Sequence, residues 1–390
     1  MNAFGGATAG GTRHTRARSS DRLRSAGIVL GVIVGVGTLV LPLGLSAAQL
    51  TVYVLLGTAT MVTVGVSLLM GYAGQVSLGQ AAFYAIGGYT AALMTIHGLP
   101  SLLGLICAPI VAGVVAGVVG IPILRLRGHY LAFATLAMQL ILLSIVAQVD
   151  FFGGELGLNG IPLLSLAGKE LSDPRAYAYV VWIGVALVML VTHNIIASRP
   201  GRGLRALATS ETAAESAGVP VTRYRLTVFA LSAAFAGLAG AIYAFFLGYI
   251  APGSFPVLLS LEFVVMAVVG GLGTVWGPLV GAAVITLLVQ WLNGLGTMPG
   301  MPAYASVVFS YAVYAVVLIG VLLFLRRGLL PTAVVMLRKV TRRRTGGPVG
   351  SVESADDDVP VGGADSSSSV DGAEDGDGHI GSPAGSEAGR

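Results

Sequence analysis

Charged residues are scarce in this sequence. Only 10% of its 390 residues are Asp, Glu, Lys or Arg, against about 25% in a soluble globular domain. Hydrophobic residues make up 55%, and apolar runs long enough to cross a bilayer core of roughly 30 Å recur along the chain. This composition excludes a soluble globular fold. It predicts an all-α polytopic membrane protein with about 8–10 transmembrane helices and two Gly-rich helix interruptions.

Residues that carry metal or covalent chemistry are also rare. The single Cys107 lies inside an apolar run, which excludes a disulfide framework. The five histidines are scattered, without the spacing of metal ligands. The only Gly-Lys pair, Gly168-Lys169, is followed by Glu170, so the sequence contains no P-loop. We therefore expect no metal, no cofactor, no enzymatic activity and no nucleic-acid partner.

Acidic and basic residues occupy separate parts of the chain. Residues 351–390 contain ten of the 18 acids, whereas residues 1–350 contain 21 Lys and Arg against eight acids. The acidic, Ser- and Gly-rich composition from 346 to 390 cannot bury enough apolar surface to fold, which predicts a disordered tail. We divide the remainder into a basic N-terminal segment at 1–25 and a transmembrane domain at 26–330.

The basic loops predict how the chain is oriented in a cell membrane. Lys and Arg are enriched in cytoplasmic loops, so both termini are predicted to be cytoplasmic and the less basic segment 150–176 external. The region 254–293 must then begin and end outside, as a helical hairpin that turns at 270–278. The other predicted spans are 26–46, 48–70, 80–97, 101–124, 128–149, 177–197, 226–250 and 303–325.

Two glycine-rich breaks interrupt the apolar runs. The first break is "GYAGQVSLG" at 71–79 and the second break is "GGLGTVWGP" at 270–278. Unwound backbone at membrane depth survives only inside protein or beside a water-filled cavity, and paired breaks in the two halves of a chain indicate a translocation path. The alternative is that the glycines only permit close helix packing. The predicted path residues are Gly71, Gly74, Gln75, Ser77, Gly79, Gln80, Gly270, Gly271 and Gly273.

One ionisable residue, Glu262, falls within an apolar run. Such residues mark proton relays and ion sites in membrane proteins. We interpret Glu262 as an acid near the outer end of a short span, which leaves little basis for ion-coupled transport.

The loop 198–226 predicts a short cytoplasmic helix. Thr212 and Glu215 have the spacing of a capping box, while Gly218 suits the left-handed position that ends a helix and Pro220 prevents its continuation. Five arginines flank this segment. A capped helix at this position is typical of a docking element for another protein, and the alternative is a basic anchor with an incidental helical turn.

Several co-linear motifs resemble one family of membrane proteins, the permeases of the high-affinity branched-chain amino acid ABC importers. The resemblance covers roughly 50–325 and is closer to the M-type permease than to its H-type partner, because "GLNGIP" and "LRLRG" are present. The matching motifs are "GYAGQVSLGQAAFYAIGGYTAAL" (71–93), "LRLRGHYLAFATLA" (124–137), "GLNGIP" (157–162), "GRGLRALATSETAAESAG" (201–218) and "VVGGLGTVWGPLVGAA" (268–283).

The resemblance implies a transport machine of several subunits. It implies a second permease subunit, two cytoplasmic ATPase subunits and an external substrate-binding protein, with 211–218 as the helix seated on an ATPase. Leu, Ile or Val is the implied substrate, while urea or short amides remain an alternative, as does a stand-alone secondary transporter or a scaffold without transport. The implied coupling residues are Arg202, Arg205, Glu211, Thr212, Ala213, Ala214, Glu215 and Gly218.

Overall fold

A computed structural model of the chain describes residues 41–126, 128–166, 169–296 and 315. Most of these residues are helical, which confirms the predicted all-α polytopic class. The helices are α1 (Ala47–Tyr72), α2 (Gln80–Ile96), α3 (Ser101–Ile123), α4 (His129–Gln148), α5 (Pro174–Ala197), α6 (Arg199–Thr209), α7 (Glu211–Ser216), α8 (Val221–Leu247), α9 (Val257–Gly270) and α10 (Gly277–Gly296).

Several sequence predictions lie outside the described residues. These are the basic segment 1–25, nearly all of the first span 26–46, the last span 303–325 and the acidic tail 346–390. The other predicted spans correspond to helices whose ends agree within a few residues. Within the described ranges, six helical segments are long and apolar enough to cross a membrane.

Local side-chain chemistry fixes where two long helices begin. Ser46 caps α1: its Oγ accepts from the Gln49 N–H at 3.4 Å, and the Gln49 Oε1 accepts from the Ser46 N–H at 3.0 Å. Asp173 caps α5, because its Oδ1 accepts from the Arg175 N–H at 2.9 Å and Pro174 occupies the first helical position. Both caps satisfy N–H groups that a helix start leaves unpaired.

Small residues let the central helix α8 lie against its neighbours with backbones nearly in contact. A Cβ placed on Gly87 of α2 would collide with the Gly237 backbone of α8, and one on Gly240 would collide with the Tyr84 carbonyl. On α3 the buried face is a stripe of small residues, whereas large aliphatic residues face outward as lipid-facing side chains do. The buried stripe is Gly104, Ala108, Ala112, Ala116 and Gly120, and the outward residues are Ile106, Ile110, Val114, Val118 and Ile121.

Two short β pairs connect the loops at one end of the bundle. Strands β1 (Leu158–Asn159) and β4 (Tyr249–Ile250) are antiparallel, with Leu158 opposite Ile250, and β2 (Ser165–Leu166) pairs with β3 (Lys169–Glu170). The 150–176 segment therefore lies at the C-terminal end of α8. The opposite end contains Arg125 and Arg225, which line one cavity with Glu211. The less basic loop and these arginines thus lie at opposite ends of α8, in keeping with the orientation predicted from charge.

The glycine-interrupted region forms two helices, as the parity of the basic loops predicted. Helices α9 and α10 pack against each other and are joined by the turn 271–276. A Cβ on Gly270 would collide with the Gly277 carbonyl, and one on Gly281 with the Met266 carbonyl. Glycine at these two positions is what permits α9 and α10 to pack with their backbones so close together.

We predict that the hairpin begins on the outer side of the membrane and turns on the cytoplasmic side. In a Cys107→Ala background, single cysteines at Ser254 and Leu272 should react with an impermeant maleimide from opposite sides, Ser254 from outside. Cysteine at Glu155, in the segment predicted to be external, is the reference for outside labelling. Labelling of the Leu272 variant from outside would contradict this orientation.

Candidate functional site

The first break is an extended segment between α1 and α2 whose side chains alternate between buried and exposed. Gly74 adopts φ 64°, which favours glycine, and the Gln75 N–H donates to the Leu69 carbonyl at 3.2 Å. Gln75 and Ser77 are 3% and 1% exposed, whereas Val76 is 39% exposed. The polar side chains of this segment therefore face the protein interior and not the lipid.

Buried polar groups at the break have no hydrogen-bond partners among the described residues. Gln80, at the first position of α2, is fully buried, and neither its Oε1 nor its Nε2 has such a partner. The Oε1 of Gln75 is likewise buried and unpaired within these ranges. An unsatisfied buried polar group costs about 1–3 kcal/mol. The break therefore retains hydrogen-bonding capacity that the described residues do not use.

Helix α2 is at the lower limit of length for crossing a bilayer. It has 17 residues, which corresponds to about 25 Å of helix against a core of roughly 30 Å. The extended segment 73–79 precedes α2, and its Gly74 and Gln75 lie beside Arg225 and Glu211.

Three residues that were not predicted from the sequence form polar contacts at the break, and two of them accept from backbone N–H groups. The Leu78 N–H donates to Thr135 Oγ1 at 2.9 Å, and the Ala81 N–H donates to Ser260 Oγ at 2.9 Å. Ser260 Oγ in turn donates to Gln139 Oε1 at 2.7 Å. Thr135, Gln139 and Ser260 are fully buried. The sequence offers a signal for two of these residues, because Thr135 and Gln139 are four positions apart and so share one face of an otherwise apolar helix. Ser260 is a single serine in α9, and nothing in the sequence marks it as a polar contact.

The structure brings the two predicted breaks into contact. Gly71 packs against the backbone of Gly273, and the Tyr72 hydroxyl donates to the Gly273 carbonyl at 2.8 Å. Gly271 and Gly273 have φ values of 109° and 76°. Three of the predicted path glycines also have packing roles: Gly71 against Gly273, Gly79 against the Thr135 carbonyl, and Gly270 against Gly277.

The predicted cytoplasmic helix is present as α7, but its predicted cap is wrong. Ser210 is the N-cap, and its Oγ accepts from the Ala213 N–H at 3.3 Å. Thr212 lies inside the helix, and its hydroxyl is 3.0 Å from Ser210 Oγ. The helix begins at Glu211, so Thr212 is its second residue and has helical backbone, whereas Ser210 has the extended backbone (φ −159°, ψ 124°) that an N-cap residue requires. Gly218 has φ 75° and follows the helix, as predicted.

Helix α7 presents one face outward and one face to the rest of the chain. Ala213, Glu215 and Gly218 are exposed, whereas Ala214 is fully buried. Of the two predicted docking alanines, only Ala213 is therefore accessible to another protein. Thr212, Ser216 and Ala217 are also exposed, as are the predicted coupling residues Arg202 and Arg205 on α6.

A bidentate ion pair links α7 to α8. The Arg225 Nη1 and Nη2 donate to the Glu211 Oε1 and Oε2 at 2.8 and 3.0 Å, and the two side chains are only 20% and 30% exposed. The pair lines a cavity of about 100 Å³ with Gly74 and Gln75. Helix α7 thus lies beside the first break, a proximity that nothing in the sequence spacing indicated.

Comparisons with known proteins point to one family. The family described as "Branched-chain amino acid transport system / permease component" matches residues 48–324. The chain is 31% identical over 266 residues to the high-affinity branched-chain amino acid transport system permease protein LivM of Salmonella typhimurium, covering 62% of this chain and 61% of that protein. For the protein of the same name from Escherichia coli the identity is 31% over 261 residues, covering 60% of each chain.

A more distant relative has an archaeal source. The probable branched-chain amino acid transport permease protein LivM of Methanocaldococcus jannaschii is 25% identical over 236 residues, covering 59% of this chain and 68% of that protein. The chain thus matches about three fifths of the length of the two bacterial relatives. No solved structure matches the chain. With a family match that spans most of the sequence and its transmembrane helices, the chain belongs to the permease component family of branched-chain amino acid transport systems.

Proposed function

We propose that this protein is a multi-pass cell-membrane permease subunit of an ABC importer that translocates branched-chain amino acids. It would act with a second permease subunit, two cytoplasmic ATPase subunits and an external substrate-binding protein. The observation that carries the proposal is the cavity shared by the Glu211–Arg225 pair and the Gly74–Gln75 backbone. It joins a compact exposed helix to the interior polar segment, within a family of transport permeases.

The contacts of α8 support a mechanical route from the docking helix to the path. An ATPase that displaces α7 would pull on Arg225 near the N-terminal end of α8 through two charge-assisted hydrogen bonds. Helix α8 packs against α1, α2 and α3, and the glycine contacts with α2 leave no space for sliding without backbone collisions. Displacement of α8 would therefore move the helices on both sides of the first break.

The proposed substrate class comes from the relatives, which are named for branched-chain amino acid transport. The test is reconstitution of the chain with its genomic-neighbour permease, ATPases and binding protein in proteoliposomes. We expect ATP-dependent uptake of Leu, Ile or Val, and uptake of urea or acetamide in their place would contradict the substrate assignment. Uptake by the chain alone without ATPases would indicate a secondary transporter.

The backbone of the first break generates a second prediction. Gly74 has a positive φ, and a Cβ added to it would meet no atom within 4 Å. A substitution at Gly74 therefore tests the need for this backbone conformation and introduces no steric collision. Gly74→Val should reduce uptake at least about tenfold, because β-branched residues avoid this region. Gly74→Asn is the matched control, since Asn tolerates left-handed backbone, and it should retain most of the uptake. Equal uptake in both variants would show that transport does not depend on the positive φ of Gly74.

The ion pair between the docking helix and α8 generates a third prediction. Arg225→Gln removes both charge-assisted hydrogen bonds, each of which contributes about 1.5–3 kcal/mol. We expect the ATPases still to co-purify with the permease, while uptake per ATP hydrolysed falls about tenfold. Arg223→Gln removes an exposed arginine two residues earlier and should leave this ratio unchanged. Parental coupling in the Arg225 variant would show that the pair is not on the route.

A further inference from the structure

A further cavity lies between α1, α2, α8, α9 and α10, near the end of the bundle that contains the 150–176 segment. Its volume is about 270 Å³. Its polar lining comes from Glu262, Thr58, Tyr84, Tyr243, Ser254, Thr286 and Gln290. Its apolar lining includes Leu55, Leu259, Met266 and Val289. The cavity therefore combines one carboxylate, several neutral hydrogen-bonding groups and an aliphatic wall.

Glu262 has no cationic partner in this cavity. None of the lining residues is Lys, Arg or His, and no hydrogen bond or ion pair joins its carboxylate to any residue in the described ranges. An unpaired acid inside a membrane span is costly, and such residues generally serve a ligand, an ion or a proton. A positively charged ligand would supply the missing partner.

The neutral groups around Glu262 can serve a second polar end of the same ligand. Thr286 Oγ1 is buried and has no hydrogen-bond partner in the part of the chain that the structure describes. The Ser254 hydroxyl accepts from the Ala251 N–H at 3.3 Å and also hydrogen-bonds the Tyr243 side chain, so the second donor in the lining is the Gln290 amide. Hydroxyl and amide N–H groups bind carboxylate oxygens. A free amino acid has an ammonium and a carboxylate on one carbon, which matches this set of groups.

We propose that this cavity is a transient binding site for the transported amino acid, with Glu262 accepting the α-ammonium. The Thr286 hydroxyl and the Gln290 amide contact the substrate carboxylate, and Leu55, Leu259, Met266 and Val289 contact its branched side chain. The proposal rests on the proposed function and names the first site within this chain at which the substrate is recognised. Glu262, which from the sequence is interpreted as an incidental acid, becomes a specificity-determining residue.

The cavity lies where the substrate would bind before it reaches the first break. Tyr84 lines it and packs edge-on against Phe255, with ring centroids 5.5 Å apart. The Phe255 carbonyl accepts from Gln139 Nε2 at 3.4 Å, and Gln139 belongs to the polar network around Ala81 and Ser260. An aromatic layer of Tyr84 and Phe255 thus separates the cavity from the buried polar groups of the break.

A protection experiment tests the binding site on the purified permease in detergent. Dicyclohexylcarbodiimide, an apolar reagent for carboxyl groups in membrane spans, should label Glu262, and peptide mass spectrometry should locate the adduct. Leucine should slow this labelling at least about fivefold, whereas 4-methylpentanoate, which lacks the ammonium group, should not. Equal protection by both compounds, protection by Na⁺ alone, or no protection by leucine would overturn the assignment.

A transport experiment separates failure of this site from failure of the proposed function. In the reconstituted importer, Glu262→Gln should lower the rate of leucine uptake about tenfold and leave ATPase co-purification intact, and Glu262→Asp should restore part of the rate. Gln148→Glu, which makes the reverse amide-to-carboxylate exchange at an exposed position at the end of α4, is the control and should transport like the parent. If the parent takes up leucine and Glu262→Gln does so equally fast, the site is wrong while the permease function stands. If the parent takes up no branched-chain amino acid, the proposed function fails, and carbodiimide protection alone decides the site.

Discussion

The need to satisfy backbone polar groups in apolar surroundings governs the interior of this protein. Between α1 and α2 the chain leaves the helical hydrogen-bond pattern, and lipid offers no partners for the released N–H groups. Thr135 and Ser260 supply acceptors for Leu78 and Ala81. Helices α4 and α9 are consequently fixed in position around the break, and a change in either would leave buried donors unpaired.

Close backbone packing is the second constraint, and glycine supplies it. Gly87 and Gly240 bring α2 onto α8, while Gly270 and Gly281 bring α9 and α10 together. Where backbones touch, helices move as pairs, because intermediate positions would require collisions. The interior therefore favours a few discrete arrangements over continuous deformation, which is the behaviour that a gated membrane protein needs.

Hydropathy and charge in the sequence were sufficient to predict the spans that lie in the described residues. Apolar runs such as 48–70 indicated helices because a crossing helix needs about 20 mostly apolar residues, and the basic loops indicated two helices at α9 and α10 through parity. Two finer features, the cap of α7 and the ion pair between α7 and α8, could not be predicted from the sequence. Ser210 displaced Thr212 as the cap of α7, and the pairing of Glu211 with Arg225 depends on how α7 folds back onto α8. Neither outcome follows from spacing.

Helix α8 reaches from one end of the bundle to the other. With 27 residues it extends about 40 Å, with Arg225 bound to α7 near its start and β4, paired with β1, just beyond its end. A force applied to the 150–176 loop and a force applied to α7 would therefore act on opposite ends of one rigid rod. In the proposed importer, substrate delivery at one end and nucleotide turnover at the other would be linked reciprocally. A binding protein that presses on the loop would change the affinity of the ATPase for α7 by the same factor as the ATPase would change that of the binding protein.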